Sequence, residues 1–271
     1  MKRYLLVALI LFSFLTRAQE SKKHIDPKYV FCYKSTSVNT DDYKIYIEDA
    51  INEDGLSKLK IRIFNKTNDY LIFKPSDVVF KIGNQEVVCK EKQLTILPNE
   101  EGWKVISVKG KGFQEEKYTL EIKNVHKIST VSPAVKVDDT PLPLTKNEFY
   151  AGKFKFTFKK ADLKTDKSIL RCECVYEGDG IGILTPAKCI AIMPKGQENP
   201  NADKFKSALM EKGKPEGFLM EFREMKGGGD MQKEPFKLVW GETFRESKIE
   251  PVPGIKINLE LDAAKTGERN Q

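Results

Sequence analysis

The chain has 271 residues, of which 40% are hydrophobic and 10% aromatic, so a wholly disordered chain is excluded and one or two packed domains are expected. The formal net charge is +7, but basic and acidic residues are interspersed along the sequence, and three of the cations fall in the first 18 residues. Nucleic-acid binding needs a concentrated basic patch or stripe, so we expect no nucleic acid among the partners.

The N-terminus has the three-part pattern of a secretory signal. Positions 2 and 3 are basic, residues 4–15 are apolar except for Ser13, and Thr16 and Ala18 place small side chains before Gln19. An apolar run of about 12 residues is too short to span the roughly 30 Å of a bilayer core. We therefore expect a signal peptide over residues 1–18 and no transmembrane segment after its cleavage. The mature protein is expected to be exported, either to the periplasm or to the extracellular space.

Strand patterns dominate the first half of the mature chain. Period-2 alternation or short β-rich runs occur over residues 44–47, 59–64, 78–82, 103–108 and 118–122. Clusters of Gly, Asn and Asp separate these segments, as expected of turns. This rhythm predicts an all-β fold.

The second half repeats the first, which indicates an internal duplication. Three pairs share an offset of 111 residues, namely Ala50 with Ala161, Leu59 with Leu170, and Pro75 with Pro186. The offset grows to 115 where Glu101-Gly102-Trp103 matches Glu216-Gly217-Phe218, and to 118 where Tyr118, Leu120 and Ile122 match Phe236, Leu238 and Trp240. An offset that grows only inside loops is difficult to obtain by chance.

The duplication defines the predicted domains. We expect a lead-in over residues 19–28, a first domain over 29–145, a second over 146–262 and a polar tail over 263–271. Each unit has about 110 residues and six or seven short strands, and in this it resembles the immunoglobulin-like β-sandwich superfamily. The resemblance implies two tandem sandwiches, which we expect to fold separately.

One segment of the second unit has no counterpart in the first. Asn201 can cap a short helix over residues 202–212 that carries Phe205 and Leu209 on its apolar face and ends at Gly213. Its neighbourhood and a later loop supply the candidate binding residues, which are Gln197, Asn199, Asn201, Asp203, Glu242 and Arg245. The helix either contacts a partner or caps an open sandwich end, and the two roles are compatible.

Five cysteines follow the signal peptide, an odd number that leaves at least one thiol without an intramolecular partner. If the chain reverses at residues 180–183, Cys174 and Cys189 face each other, which predicts a disulfide between them. The alternative is that the cysteines are buried free thiols. Cys172 and Cys174 share one strand face and could bind a soft metal, but they match core isoleucines of the first unit. We therefore expect no metal and no cofactor.

Catalytic motifs do not emerge from the sequence. The chain has two histidines, neither of them spaced for a metal or a nucleophilic dyad, and no nucleophile elbow or phosphate loop. We expect a non-catalytic binding or structural module that contacts a protein or glycan of the cell envelope through sandwich-end loops. The alternative is a hydrolase of envelope polymers with a carboxylate or cysteine site.

Overall fold

The computed structural model describes residues 26–205, 207–224 and 229–271. The expected signal peptide and most of the lead-in lie outside these residues. Strands predominate, and the single α-helix of the described chain, α1, spans Ala263–Arg269. The described segments contain no helix with the length and apolarity needed to cross a membrane. The predicted all-β class is confirmed.

Two sheets pack face to face in the first half of the chain. Their strands are β1 (Phe31–Cys32), β2 (Thr36–Asn39), β3 (Tyr43–Glu53), β4 (Leu56–Asn65), β5 (Tyr70–Phe73), β6 (Val78–Ile82), β7 (Gln85–Val88), β8 (Leu94–Ile96), β9 (Glu101–Lys109) and β10 (Lys117–Ile128). One sheet has the order β1-β3-β4-β9, with β2 also paired to β3, and the other has the order β7-β6-β10-β5-β8. All five strand segments predicted from the sequence form strands.

The core of this first sandwich follows from strand alternation. Ile45 and Ile47 on β3 and Ile61 and Ile63 on β4 are fully buried, and polar residues alternate with them. Successive side chains of a strand point to opposite faces, so every second residue enters the core. Each buried aliphatic side chain contributes about 1.5–3 kcal/mol relative to exposure.

The second sandwich has the same plan with shorter strands. They are β11 (Thr140–Leu142), β12 (Glu148–Ala151), β13 (Phe154–Leu163), β14 (Lys167–Tyr176), β15 (Ile181–Leu184), β16 (Ile190–Ile192), β17 (Glu198–Pro200), β18 (Ala208–Met210), β19 (Pro215–Arg223), β20 (Phe236–Val239) and β21 (Phe244–Ser247). One layer is β12-β13-β14-β19, and the other consists of β11-β20-β16-β17 and β18-β15-β21. Aromatic residues and sulfur-containing side chains fill the core between the layers.

Local irregularities recur at matching places in the two sandwiches. The β3–β4 pairing shifts register between Glu48 and Ile51, and the β13–β14 pairing shifts between Phe158 and Lys160. A 3-10 turn with a buried proline follows the next strand in each, over Pro75–Asp77 and over Pro186–Lys188. These shared features support the duplication, because bulges and proline turns are specific to a backbone plan.

The last strand of the chain does not join the second sandwich, where the sequence placed it. Strand β22 (Ile249–Glu260) pairs antiparallel with β10, from Lys117 opposite Glu260 to Ile128 opposite Ile249. Its buried residues lie in the first core. The predicted polar tail is also corrected, since α1 follows β22 and packs on β1. The sequence could not show this, because strand alternation does not encode the identity of the partner strand.

The two repeats exchange their final strands. Within the first sandwich, Leu120 of β10 lies opposite Ile257 of β22. At the matching place in the second sandwich, Leu238 of β20 lies opposite Thr140 of β11. Strand β11 follows the first repeat along the chain and completes the second, whereas β22 follows the second and completes the first. Neither predicted domain is therefore complete within its predicted boundaries.

The helix expected over residues 202–212 does not form in the described residues of that segment, 202–205 and 207–212. Its C-terminal half forms β18, which pairs with β15. The free edge of β15 supplies backbone hydrogen-bond partners that a short isolated helix would lack, so pairing outweighs helical propensity. The second proline turn separates β15 from β16 in the neighbouring segment.

The two sandwiches contact each other through a small apolar cluster. It consists of Tyr70, Ile72, Ile128, Ile181 and Ile183, with Leu209 packed against them. The Tyr70 hydroxyl also donates a hydrogen bond to Ser207 Oγ at 2.8 Å. Gln93 Nε2 likewise donates to Glu211 Oε1 at 3.0 Å, so the interface combines apolar contacts, polar contacts and the two exchanged strands.

We expect Gly254→Ala to destabilise the protein by about 1–3 kcal/mol through overpacking. A Cβ atom at Gly254 would lie 2.1 Å from the carbonyl oxygens of Ile122 and Lys123 on β10. Gly217→Ala is the matched control, because the nearest atom to its Cβ is a carbonyl oxygen at 4.0 Å. Chemical denaturation of both variants measures the difference. Equal stabilities would contradict the close approach of β22 to β10.

We also expect residues 26–128, joined to 249–271 by a short turn, to fold as a single sandwich. Ile128 and Ile249 are directly opposed, and opposed Cα atoms of antiparallel strands lie about 4.5–5.5 Å apart. The matched fragment is residues 26–145, which keeps the predicted domain but lacks β22 and α1. A cooperative thermal melt is expected only for the joined chain. A cooperative monomeric melt of fragment 26–145 would contradict the requirement for β22.

Candidate functional site

Two of the six predicted binding residues, Asn201 and Asp203, bond to the backbone of the second sandwich itself. Asn199 on β17 is fully buried. Asn201 Nδ2 donates to the Pro186 carbonyl at 3.1 Å, and its Oδ1 accepts from the backbone N–H groups of Asp203 and Glu221. The Asp203 carboxylate accepts from the Phe205 N–H at 2.8 Å. These contacts stabilise the crossing from β17 to β19.

The other predicted residues lie in the turn between β16 and β17 and at β21. The Gln197 carbonyl accepts from the Met193 N–H in the β16–β17 turn. Glu242 and Arg245 form an ion pair of 2.9 Å, and the Arg245 guanidinium donates to the Ser132 carbonyl. The Arg245 side chain is only 17% exposed, so it mainly secures the segment that links the sandwiches.

The predicted disulfide is absent, and all five cysteines are buried and free. Cys174 lies on β14, whereas Cys189 precedes β16, and these strands belong to different sheets. The chain crosses from one layer to the other after β14 and does not form the hairpin on which the pairing depended. Burial raises the pKa of Cys174 to about 12 and that of Cys189 well above its ordinary value.

Cys89 and Glu91 form a polar cluster in the first sandwich. The Cys89 thiol donates to Glu91, whose other oxygen accepts from the N–H and the hydroxyl of Ser107. Burial, together with the hydrogen bond to Glu91, raises the pKa of Cys89 to about 11. Burial acts to raise the pKa of Glu91, but the hydrogen bonds from Cys89 and Ser107 outweigh it and lower that pKa. The thiol is therefore neutral near pH 7 and unsuited to nucleophilic attack.

An aromatic and cationic surface lies on the outside of the first sandwich. We call it the outer face, and it consists of Lys44, Tyr46, Glu48, Lys60, Arg62, Phe64, Trp103 and Val105, which alternate with core residues on β3, β4 and β9. Trp103 is 61% exposed, and Phe64 and Val105 are also exposed. Arg62 faces Tyr46 across one strand pair and Trp103 across the other.

Charges hold the aromatic rings of the outer face in place. Arg62 and Lys44 lie over the Tyr46 ring at 4.2 and 4.6 Å, and Lys60 lies over the Trp103 ring at 5.5 Å. Glu48 pairs with Arg62 at 2.7 Å and with Lys60 at 3.2 Å. Hydrogen bonds from Arg62 and Lys60 hold the pKa of Glu48 below its ordinary value. The face is therefore a preorganised array of rings and fixed charges.

Sequence comparison of the repeats did not identify Trp103 as an outward-facing residue, because the sequence match and the strand pairing differ by one residue in register. The match at offset 115 paired Trp103 with Phe218, which is buried. In the sheets, Trp103 lies opposite Arg62, whereas Phe218 lies opposite Cys172, an inward position. A shift of one residue moves a strand side chain to the other face. The alternation of β9 with the buried Ile106 and Val108 was the available signal.

A groove of about 650 Å³ borders the outer face beside α1. Its charged lining consists of Asp49, Lys58, Lys60, Lys265, Glu268 and Arg269, and Cys32, Leu59 and Val105 contribute apolar surface. Helix α1 forms one wall because Thr266 bonds to the backbone of Cys32 in β1 and Asn270 bonds to that of Val30, just before β1. Over the described ranges, no group of three or more His, Cys, Asp or Glu side chains is arranged to hold a metal ion.

Comparison with known proteins gives no family. No protein-family model matches the chain, and no curated protein matches it. The crystal structure of the conserved domain protein from Bacillus anthracis aligns with 93% of this chain and 98% of its own, at 10% identity and a TM-score of 0.22. At this TM-score, the similarity supports no conclusion about fold or function.

We expect five free thiols when the protein is denatured without reductant, because none of the cysteines is paired. In the native protein near neutral pH, thiol reagents are expected to react slowly, since burial keeps the thiols protonated. Cys32 should react first because it lines the groove, and Cys32→Ser should remove that first reaction. Three thiols after denaturation would instead support the Cys174–Cys189 disulfide.

Proposed function

We propose that this protein is an exported, non-catalytic binding module that holds a glycan of the cell envelope on the outer face of its first sandwich. The observation that carries the proposal is the exposure of Trp103 on the outer face of a sheet, beside fixed charges. Export rests on the N-terminal signal pattern. The immunoglobulin-like class of the two sandwiches is part of the same proposal.

Of the two partner classes that the sequence allowed, a glycan fits the outer face better. A sugar ring presents C–H groups with partial positive charge, which complement the negative face of an indole. Glu48, Arg62 and Lys60 surround the rings and are held by their ion pairs, so they can meet sugar hydroxyls with little loss of side-chain entropy. The first sandwich thus binds through a sheet face, not through the sandwich-end loops.

The pKa shifts weigh against the alternative of a hydrolase. A carboxyl that acts as general acid near neutral pH needs a raised pKa, whereas that of Glu48 is lowered by its cations. A cysteine nucleophile needs a lowered pKa, whereas burial raises the pKa values of Cys89 and Cys174. Glu48 as a general acid, and Cys89 or Cys174 as a nucleophile, are therefore each shifted in the direction opposite to that required.

We expect Trp103→Ala to weaken binding to isolated envelope polysaccharide by about 2 kcal/mol, roughly 30-fold in Kd, as for an aromatic anchor. Tyr150→Ala is the matched control, because Tyr150 is 58% exposed on the second sandwich. Retention on the insoluble polymer measures both variants, and thermal melts check that they fold. Equal retention of Trp103→Ala and the wild type would refute the assignment to the outer face.

A further inference from the structure

The groove beside α1 has an excess of unpaired positive charge. Four cations line it, namely Lys58, Lys60, Lys265 and Arg269, against the two acids Asp49 and Glu268. Lys60 pairs with Glu48 outside the groove. Within the part of the chain that the structure describes, Lys58, Lys265 and Arg269 form no ion pair. On the adjoining face, by contrast, Arg62 is paired with both Glu48 and Glu101.

The cations act together on the base of the groove. Cys32 lines the groove, and burial raises its pKa; the charges of Arg269 and Lys265 act to lower that pKa, whereas the charge of Asp262 acts to raise it. Charges of one sign around a concave surface focus the field and raise the local concentration of counter-ions. A bound anion would relieve the mutual repulsion of these cations.

The groove is continuous with the aromatic rings of the outer face, Tyr46 and Trp103, which we call the ring platform. Lys60 lines the groove and also lies over the Trp103 ring, and Val105 lines the groove two residues further along β9. A chain of sugar rings that crosses Trp103 would therefore bring its substituents to the cations of the groove. This continuity distinguishes the groove from a general surface cluster of lysines.

We propose that the groove binds the anionic substituents of an acidic polysaccharide whose rings lie on Trp103. The inference rests on the proposed function, since the same outer face supplies the ring platform. It adds the class of ligand, an acidic glycan and not a neutral one. Helix α1, through Lys265 and Arg269, is then a determinant of specificity.

Two matched pairs of polymers test the proposal on the full mature chain. Polygalacturonate is compared with its methyl ester, and dextran sulfate with dextran, so that each pair differs in charge on one backbone. The wild type should bind each charged polymer at least about tenfold more tightly than its neutral counterpart, and the preference should fall with added salt. The polygalacturonate pair tests carboxylate substituents, and the dextran sulfate pair tests sulfate substituents.

The variant Lys265→Gln with Arg269→Gln removes two groove cations and keeps good helix formers in α1. It should bind the preferred charged polymer about tenfold more weakly, with neutral polymers unaffected. The control, Lys188→Gln with Lys195→Gln, removes two exposed cations from the second sandwich and should leave binding unchanged. Thermal melts of both variants check folding. Lys58→Gln removes a groove cation that lies on β4, so it tests the groove independently of α1.

The outcomes separate this inference from the proposed function. Equal binding of charged and neutral polymers, or no effect of the helix variant and Lys58→Gln, overturns the groove while Trp103→Ala still tests the outer face. Duplex DNA that competes as well as the acidic polysaccharide would overturn it as well, because a general polyanion site needs no ring platform. Loss of binding with Trp103→Ala but not with the helix variant supports the outer face alone.

Discussion

The pairing of β22 with β10 is the contact on which the rest of the molecule depends. The pairing runs the full length of both strands and completes one sheet of the first sandwich. Strand β11, which follows the first repeat along the chain, pairs in the second sandwich instead. Gly254 permits the close approach of the two backbones, because a side chain there would meet the carbonyl oxygens of β10. Each sandwich therefore contains a strand from outside its predicted domain, and neither predicted domain forms a whole sandwich by itself.

The same pairing positions the candidate binding region. Residues after β22 return to β1, where Asp262 caps α1 and accepts a hydrogen bond from the Lys265 N–H. Thr266 then bonds to the backbone of β1, and Asn270 bonds to that of Val30 just before it, so both secure the helix there. The C-terminus thereby forms a wall of the groove next to strands that lie some two hundred positions earlier in the sequence. A loss of β22 pairing would remove this wall together with the stability of the first core.

The two sandwiches have diverged in composition. The first core is largely aliphatic, whereas the second is filled by aromatic rings, cysteines and methionines. Phe156 and Trp240 lie 4.9 Å apart between ring centroids, an edge-to-face contact that large side chains favour. Sulfur-containing side chains fill irregular space between such rings. Cys172 and Cys174 are therefore packing residues of the second core, as their match to Ile61 and Ile63 indicated.

The sequence by itself determined the all-β class and five of the strands, and it indicated the duplication, because period-2 alternation and proline turns are local signals. The match of Cys172 and Cys174 to core isoleucines of the first unit also indicated inward positions, and both cysteines are buried. Tertiary structure alone decided which strands pair, since any exposed edge can accept a strand and alternation is the same for every partner. That choice moved β22 to the first sandwich, made residues 208–210 a strand, and separated Cys174 from Cys189. It also set the register of β9, a difference of one residue that turned Trp103 outward.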